Sequence, residues 1–166
     1  MGEARDEPAR REAQVERTTR ETDIRLELAL DGDGEAEVET GVGFFDHMLD
    51  ALAVHGGWTL RLVCEGDLEV DPHHSVEDVG ICLGLALRRA LGDRAGIARF
   101  GHFYAPLDEA LARAVVDISG RAFLSFEAEF PEERVGALPT SLVQDFFQAL
   151  AGRAGLTLHL DLLRVR

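Results

Sequence analysis

The chain is 166 residues long and 46% hydrophobic, with 31 acidic against 17 basic residues and a formal charge of -14. This is enough apolar material to bury a core in one compact domain or two small packed halves, which excludes a disordered chain. The acidic balance opposes a nucleic-acid partner, and no apolar run approaches membrane-spanning length.

Residues 1–12 mix acidic, basic and small side chains without periodicity, so they are expected to form a solvated, disordered tail, with no apolar segment of a secretory signal behind it. Residues 23–30 alternate polar and apolar, Asp31-Gly32-Asp33-Gly34 supplies turn residues, and 35–40 alternate again, which predicts a hairpin with one wet face. Phe45, Met48, Leu49, Leu52 and Ala53 then fall at helical spacing over 44–55, closed by Gly56-Gly57, and a strand is predicted at 58–64. A longer helix is expected over 73–91, started by Asp71-Pro72 and stopped by Gly92. Strands follow at 98–104, 111–118 and 122–129, then a helix over 140–153 and a strand at 156–163. The class is mixed α+β, with helices packed on one sheet face. Cys64 and Cys82 stand apart in apolar stretches and read as small buried hydrophobes in a reducing compartment, the cytoplasm.

An internal repeat emerges at an offset of 98 residues, which lays Asp46-His47 over Gln144-Asp145. In that register Ala51-Leu52-Ala53 meets Ala149-Leu150-Ala151, Gly57 meets Gly155, and Thr59-Leu60-Arg61-Leu62 meets Thr157-Leu158-His159-Leu160. Two tandem, structurally similar halves follow, 13–95 and 96–166, each a sheet with helices on one face.

The chemistry gathers at His73-His74-Ser75-Val76-Glu77. Residues four apart share a helix face, so His73 and Glu77 can address one point while His74, about 100° round the helix, addresses another. Imidazole with carboxylate suits zinc, manganese, iron or nickel, and the absence of cysteine ligands leans away from a closed structural zinc site. Alone, the motif also reads as a solvated helix start. His47 alone reads as a hydrogen-bonded boundary residue among Phe44, Phe45 and Met48. The repeat pairs it with Asp145, as expected if each half contributes a ligand to one of two similar metal sites.

Several long motifs in order resemble the imidazoleglycerol-phosphate dehydratase family. They are Thr40-Gly41-Val42-Gly43-Phe44-Phe45-Asp46-His47-Met48-Leu49, His55-Gly56-Gly57, Gly66-Asp67-Leu68, and Asp71-Pro72-His73-His74-Ser75-Val76-Glu77-Asp78-Val79-Gly80. Further matches are Ala90-Leu91-Gly92-Asp93, Gly96-Ile97-Ala98-Arg99-Phe100-Gly101, Asp108-Glu109-Ala110 and Asp117-Ile118-Ser119-Gly120-Arg121. The resemblance implies two manganese ions, with His47 and His74 on one and His73, Glu77 and Asp145 on the other. Many relatives carry histidine where this chain has Asp145, and a carboxylate can also ligate manganese. It further implies Glu21 and Glu77 as catalytic carboxylates, with Glu21 handling a proton. His47, His73, Arg99, Arg121 and Asp108 would surround the substrate, the two arginines on its phosphate. The family reaction removes water from imidazole glycerol phosphate to give imidazole acetol phosphate. Its members form trimers that assemble with octahedral symmetry, with active sites at subunit contacts.

The same offset carries His73 to about position 171, where a second His-His-x-x-Glu is expected, beyond Arg166. A polypeptide ending at Arg166, its second half lacking the last helix, is therefore expected to bind metal weakly, turn over negligibly and assemble no further than trimers. Two other functions compete: a non-catalytic interaction domain, which would not need Glu21, Arg99 and Arg121, and a metallohydrolase acting on phosphate or amide esters.

Overall fold

Alternation of apolar and polar residues builds the first sheet. In the computed structural model, which describes residues 10–165, strand β1 (Glu12–Thr18) runs antiparallel to β2 (Thr22–Ala29), with Val15 opposite Leu26. The inward side of β2 is Thr22, Ile24, Leu26 and Leu28, all buried. Strand β3 (Ala36–Glu39) is followed by helix α1 (Gly43–Gly56) and strand β4 (Thr59–Gly66). The sheet order is β1-β2-β4-β3, with β4 antiparallel to β2 and parallel to β3.

The hairpin expected over residues 23–40 is therefore not formed; the hairpin is β1–β2, and β4 separates β2 from β3. The 31–35 segment explains this. Asp33 Oδ1 accepts hydrogen bonds from the Thr59 hydroxyl at 2.9 Å and the Glu35 N–H at 3.1 Å. Gly32 lies so close to the start of β4 that a Cβ there would stand 2.2 Å from the Thr59 nitrogen. The turn is thus tied across the end of β4, and the chain enters the sheet beyond it. A parallel pair needs a crossover, and α1 supplies it.

The stretch 1–12, expected as a tail, is ordered at its end: Glu12 opens β1, Arg11 pairs with Asp31, and the Arg11 carbonyl accepts the Leu30 N–H at 2.9 Å. Residues 1–9 of that stretch lie outside the described residues.

Helix α2 (His73–Leu91) packs Val76, Val79, Leu83, Ala86 and Leu87 into the main core and contacts β1, β2 and β4. Strands β5 (Phe100–Leu107) and β6 (Ala110–Asp117) form the next hairpin, followed by β7 (Phe123–Glu127) and a two-residue pair, β8 (Arg134–Val135) and β9 (Leu138–Pro139). Helix α3 (Leu142–Ala154) then leads into β10 (Thr157–Arg164). The second sheet is ordered β5-β6-β10-β7, again a hairpin joined to a parallel pair, so it repeats the first. Gly57 and Gly155, equivalent in the repeat, close α1 and α3 with left-handed φ angles of 66° and 70°. The expected α+β architecture of two similar halves is the one observed.

The halves meet through α2 and α3. Among the described residues no helix follows β10 to cover the second sheet as α2 covers the first. Phe103 and Leu107 on β5 are 71% and 76% exposed, whereas Ile24 and Leu60 of the first sheet are at 0%. No helix among the described residues is long and apolar enough to cross a membrane.

Candidate active site

The first turn of α2 is clamped to the end of β4. Gly66 approaches it so closely that a Cβ there would stand 1.9 Å from Ser75 Oγ. Asp71 Oδ1 accepts the His73 N–H at 2.8 Å, holding the helix entry through Pro72. With Ser75 and Val76 buried, the neighbouring His73, His74 and Glu77 remain partly exposed on the outer side.

His73 Nε2 lies 3.6 Å from Glu77 Oε2, the one-face pairing that the four-residue spacing predicts. The His73 and His74 rings stack, with centroids 5.6 Å apart and planes 28° from parallel. His74 Nδ1 lies 2.9 Å from Asp67 Oδ2. This hydrogen bond raises the His74 pKa above its ordinary value, and the charges of Asp67, Glu21 and Asp71 act in the same direction.

Glu21 belongs to the same neighbourhood. Thr19 Oγ1 accepts the N–H groups of Glu21 at 3.1 Å and Thr22 at 3.0 Å, shaping the β1–β2 turn, and the Asp67 N–H donates to the Glu21 carbonyl at 3.0 Å. The turn leaves the Glu21 side chain exposed and near enough for its charge to act on His74.

His47 and Asp145 stand exposed at equivalent positions of α1 and α3. Their neighbours explain why. Asp46 Oδ1 accepts the Thr40 N–H at 2.9 Å and also the Thr40 hydroxyl, pinning the helix entry, and Phe45 turns inward against Phe146 with ring centroids 5.4 Å apart. Among the described residues no group of three His, Cys, Asp or Glu side chains is arranged to hold a metal ion. Within one chain, then, the five expected ligands are not gathered into a complete site.

A second cluster lies at the head of the second sheet. Asp117 Oδ1 accepts from Arg99 Nε at 2.7 Å and Oδ2 from Arg99 Nη2 at 3.0 Å, while Arg121 Nη2 lies 4.0 Å from the same Oδ2. The Arg99 guanidinium, aided by the charge of Arg121, holds the Asp117 carboxyl below the usual carboxylate range. The two expected phosphate-binding arginines therefore converge on one carboxylate. Asp108 does not join them. It occupies the β5–β6 turn with φ 49°, at the opposite end of the hairpin from the Phe100–Asp117 pair.

Sequence reasoning misses Asp67 and Asp117, although both fall inside the motifs quoted above. A carboxylate beside a strand end facing a histidine helix start was the signal for Asp67. Asp117 carries no local signal, because both its side-chain hydrogen bonds come from Arg99, 18 residues earlier in the chain.

The sequence profile of the imidazoleglycerol-phosphate dehydratase family matches residues 40–166. The dehydratase of Halorhodospira halophila is 56% identical over 158 residues, covering 95% of this chain and 80% of that protein. That of Salinibacter ruber is 58% identical over 154 residues, covering 93% and 76%. The crystal structure of the Staphylococcus aureus enzyme superposes with a TM-score of 0.84 at 40% identity, over 93% of this chain and 85% of that one. Sequence, fold and the order of the motifs agree, and the chain belongs to the imidazoleglycerol-phosphate dehydratase family of lyases.

Proposed function

We propose that the protein dehydrates imidazole glycerol phosphate to imidazole acetol phosphate in histidine biosynthesis, with manganese bound at an imidazole-carboxylate centre. The observation that carries this reading is the gathering of His73, His74 and Glu77 beside Glu21 at the start of α2. The paired arginines at the head of the second sheet supply what a phosphorylated substrate needs.

The donor chemistry fits the metal. Imidazoles and carboxylates suit manganese, and the two thiols, Cys64 and Cys82, are buried away from the surface. His73, Glu77 and Asp145 would hold one ion and His47 with His74 the other. Divalent ions at these residues would supply Lewis acidity toward the substrate's imidazole nitrogens. Asp67 keeps His74 oriented, and Arg99 and Arg121 fix the phosphate by their guanidinium forks. With the substrate anchored at both ends, the Glu21 carboxylate moves the proton that the elimination releases from carbon. Glu77 acts from the same helix face as His73.

Separation of the expected ligands within one chain fits centres completed where chains meet; family membership implies a homo-oligomer of trimers, with octahedral assembly where the second His-His-x-x-Glu is present. Asp108, remote from the arginines of its own hairpin, would reach a substrate only across such a contact. Two free buried thiols suit the reducing cytoplasm.

The test is an assay with imidazole glycerol phosphate on chelator-treated protein, before and after manganese is restored. Metal-dependent loss of water from the substrate is expected. Hydrolysis of phosphate esters without dehydration would favour a metallohydrolase, and binding without turnover would favour an interaction domain.

A further inference from the structure

We infer that Asp67 is a positioning residue for His74, fixing which ring nitrogen the histidine presents to a metal ion; this rests on the proposed role of His74 as a ligand. Asp67 Oδ2 lies 2.9 Å from His74 Nδ1. A neutral imidazole that donates from Nδ1 to a carboxylate has Nε2 as its free acceptor, so the contact selects one tautomer and one ring orientation. His73 has a different partner, Glu77 at 3.6 Å, so Asp67 acts on one of the two adjacent histidines alone.

The surroundings of Asp67 separate this role from a structural one. Its side chain is 19% exposed, and its Oδ1 is buried with no hydrogen-bond partner among the described residues. A carboxylate enclosed with one oxygen unsatisfied costs stability, because the desolvation is not repaid. The backbone around it needs no such side chain: the Asp67 N–H already donates to the Glu21 carbonyl at 3.0 Å, and the Val70 N–H donates to the Asp67 carbonyl at 2.8 Å. The only side-chain hydrogen bond of Asp67 among the described residues is to His74. A residue that weakens the fold while orienting a site side chain is placed there for the site.

The experiment compares wild type, Asp67→Ala, Asp67→Asn and His74→Asn. Each is stripped with a chelator, titrated with manganese, and followed by thermal unfolding in the stripped state. Asp67→Ala is expected to bind manganese about 10- to 100-fold more weakly at one of two classes of site, while its stripped form unfolds at the wild-type temperature or above. Asp67→Asn keeps an oxygen that can accept from Nδ1 but loses the charge, so it should fall between the two. It carries the test if the alanine variant does not fold. Manganese affinity unchanged in both Asp67 variants while His74→Asn weakens it would overturn the positioning role alone. Unchanged affinity in His74→Asn would overturn the ligand reading beneath it. A lowered unfolding temperature with equal weakening of every site would make Asp67 structural and also overturn the inference.

Discussion

A Cβ built on Gly84 of α2 would stand 2.6 Å from the carbonyl oxygen of Leu150 on α3. One turn earlier, a Cβ on Gly80 would stand 2.7 Å from the Phe146 carbonyl oxygen. These glycines flatten one face of α2 so that the backbones of the two halves approach directly. The helix contact joins the sheet that carries Glu21 to the one that carries Arg99 and Arg121.

Gly84→Ala should therefore destabilise the protein. Replacing a glycine inside a helix ordinarily helps, but here the methyl group must push two backbones apart, at a cost of about 1–3 kcal/mol. Gly152, in α3 with nothing within 4 Å of its built Cβ, is the control, and its alanine variant should be neutral or slightly stabilising. Equal unfolding temperatures for the two variants would disprove the close-packing account.

Asp78 is the polar centre of the first half. Its Oδ2 accepts the Thr22 hydroxyl at 2.6 Å, and its Oδ1 accepts Arg17 Nε at 3.2 Å and Nη2 at 3.1 Å, joining α2 to β1 and β2 beneath the Glu21 turn. Asp78→Ala leaves a half-buried guanidinium unpaired and the buried Thr22 hydroxyl with only the Thr19 hydroxyl, 3.2 Å away, as a partner, which costs about 2 kcal/mol. Denaturant unfolding would measure it. If Asp78→Ala in a Thr22→Val background costs as much as in wild type, the Thr22 bond contributes nothing.

Cys82 is fully buried on α2, and that burial pushes its thiol up to about 11. In the unfolded chain the thiol ionises near its ordinary value of 9.0, so the unfolded state loses its proton first. Stability from this group is complete below pH 9 and falls as the pH rises toward 11. A Cys82→Ala variant should lose this part of the alkaline sensitivity, and the native thiol should resist alkylation at pH 8. Rapid alkylation of Cys82 in folded protein would contradict the burial.

The extents of the helices were legible because punctuation and periodicity coincide. Asp71-Pro72 and Gly92 bracket α2, and its observed span, His73–Leu91, matches the expected 73–91. The 98-residue offset was legible because Gly57 and Gly155 must both adopt left-handed φ angles after helices of similar length. Strand pairing was not, because alternation marks a strand without naming its neighbour; Glu35 to Thr40 looked like the partner of β2 until the Asp33–Thr59 contact displaced it. In the site, the His73–Glu77 pairing follows from helix geometry. The Asp67–His74 contact spans a loop whose path no local periodicity encodes. Two-residue strands such as β8 and β9 are too short to leave a pattern.

The Arg99–Asp117 fork makes a last prediction about the phosphate end of the site. Asp117 takes the Nε hydrogen and one Nη2 hydrogen of Arg99, which leaves the end-on fork of Nη1 and the second Nη2 hydrogen, together with Arg121, to meet an anion. The carboxylate holds the planar group in place, so the entropy of fixing it is already spent before substrate arrives. Arg99→Gln and Arg121→Gln should each raise KM for the phosphorylated substrate, and the inhibition constant of inorganic phosphate, by about tenfold, or ~1.4 kcal/mol, with a smaller effect on kcat. Arg99→Lys should not restore affinity, because an ammonium cannot make both bonds to Asp117 and still present a fork. Unchanged KM and phosphate inhibition in both glutamine variants would remove the arginines from substrate binding and leave the Arg99–Asp117 pair as a surface ion pair of the second sheet.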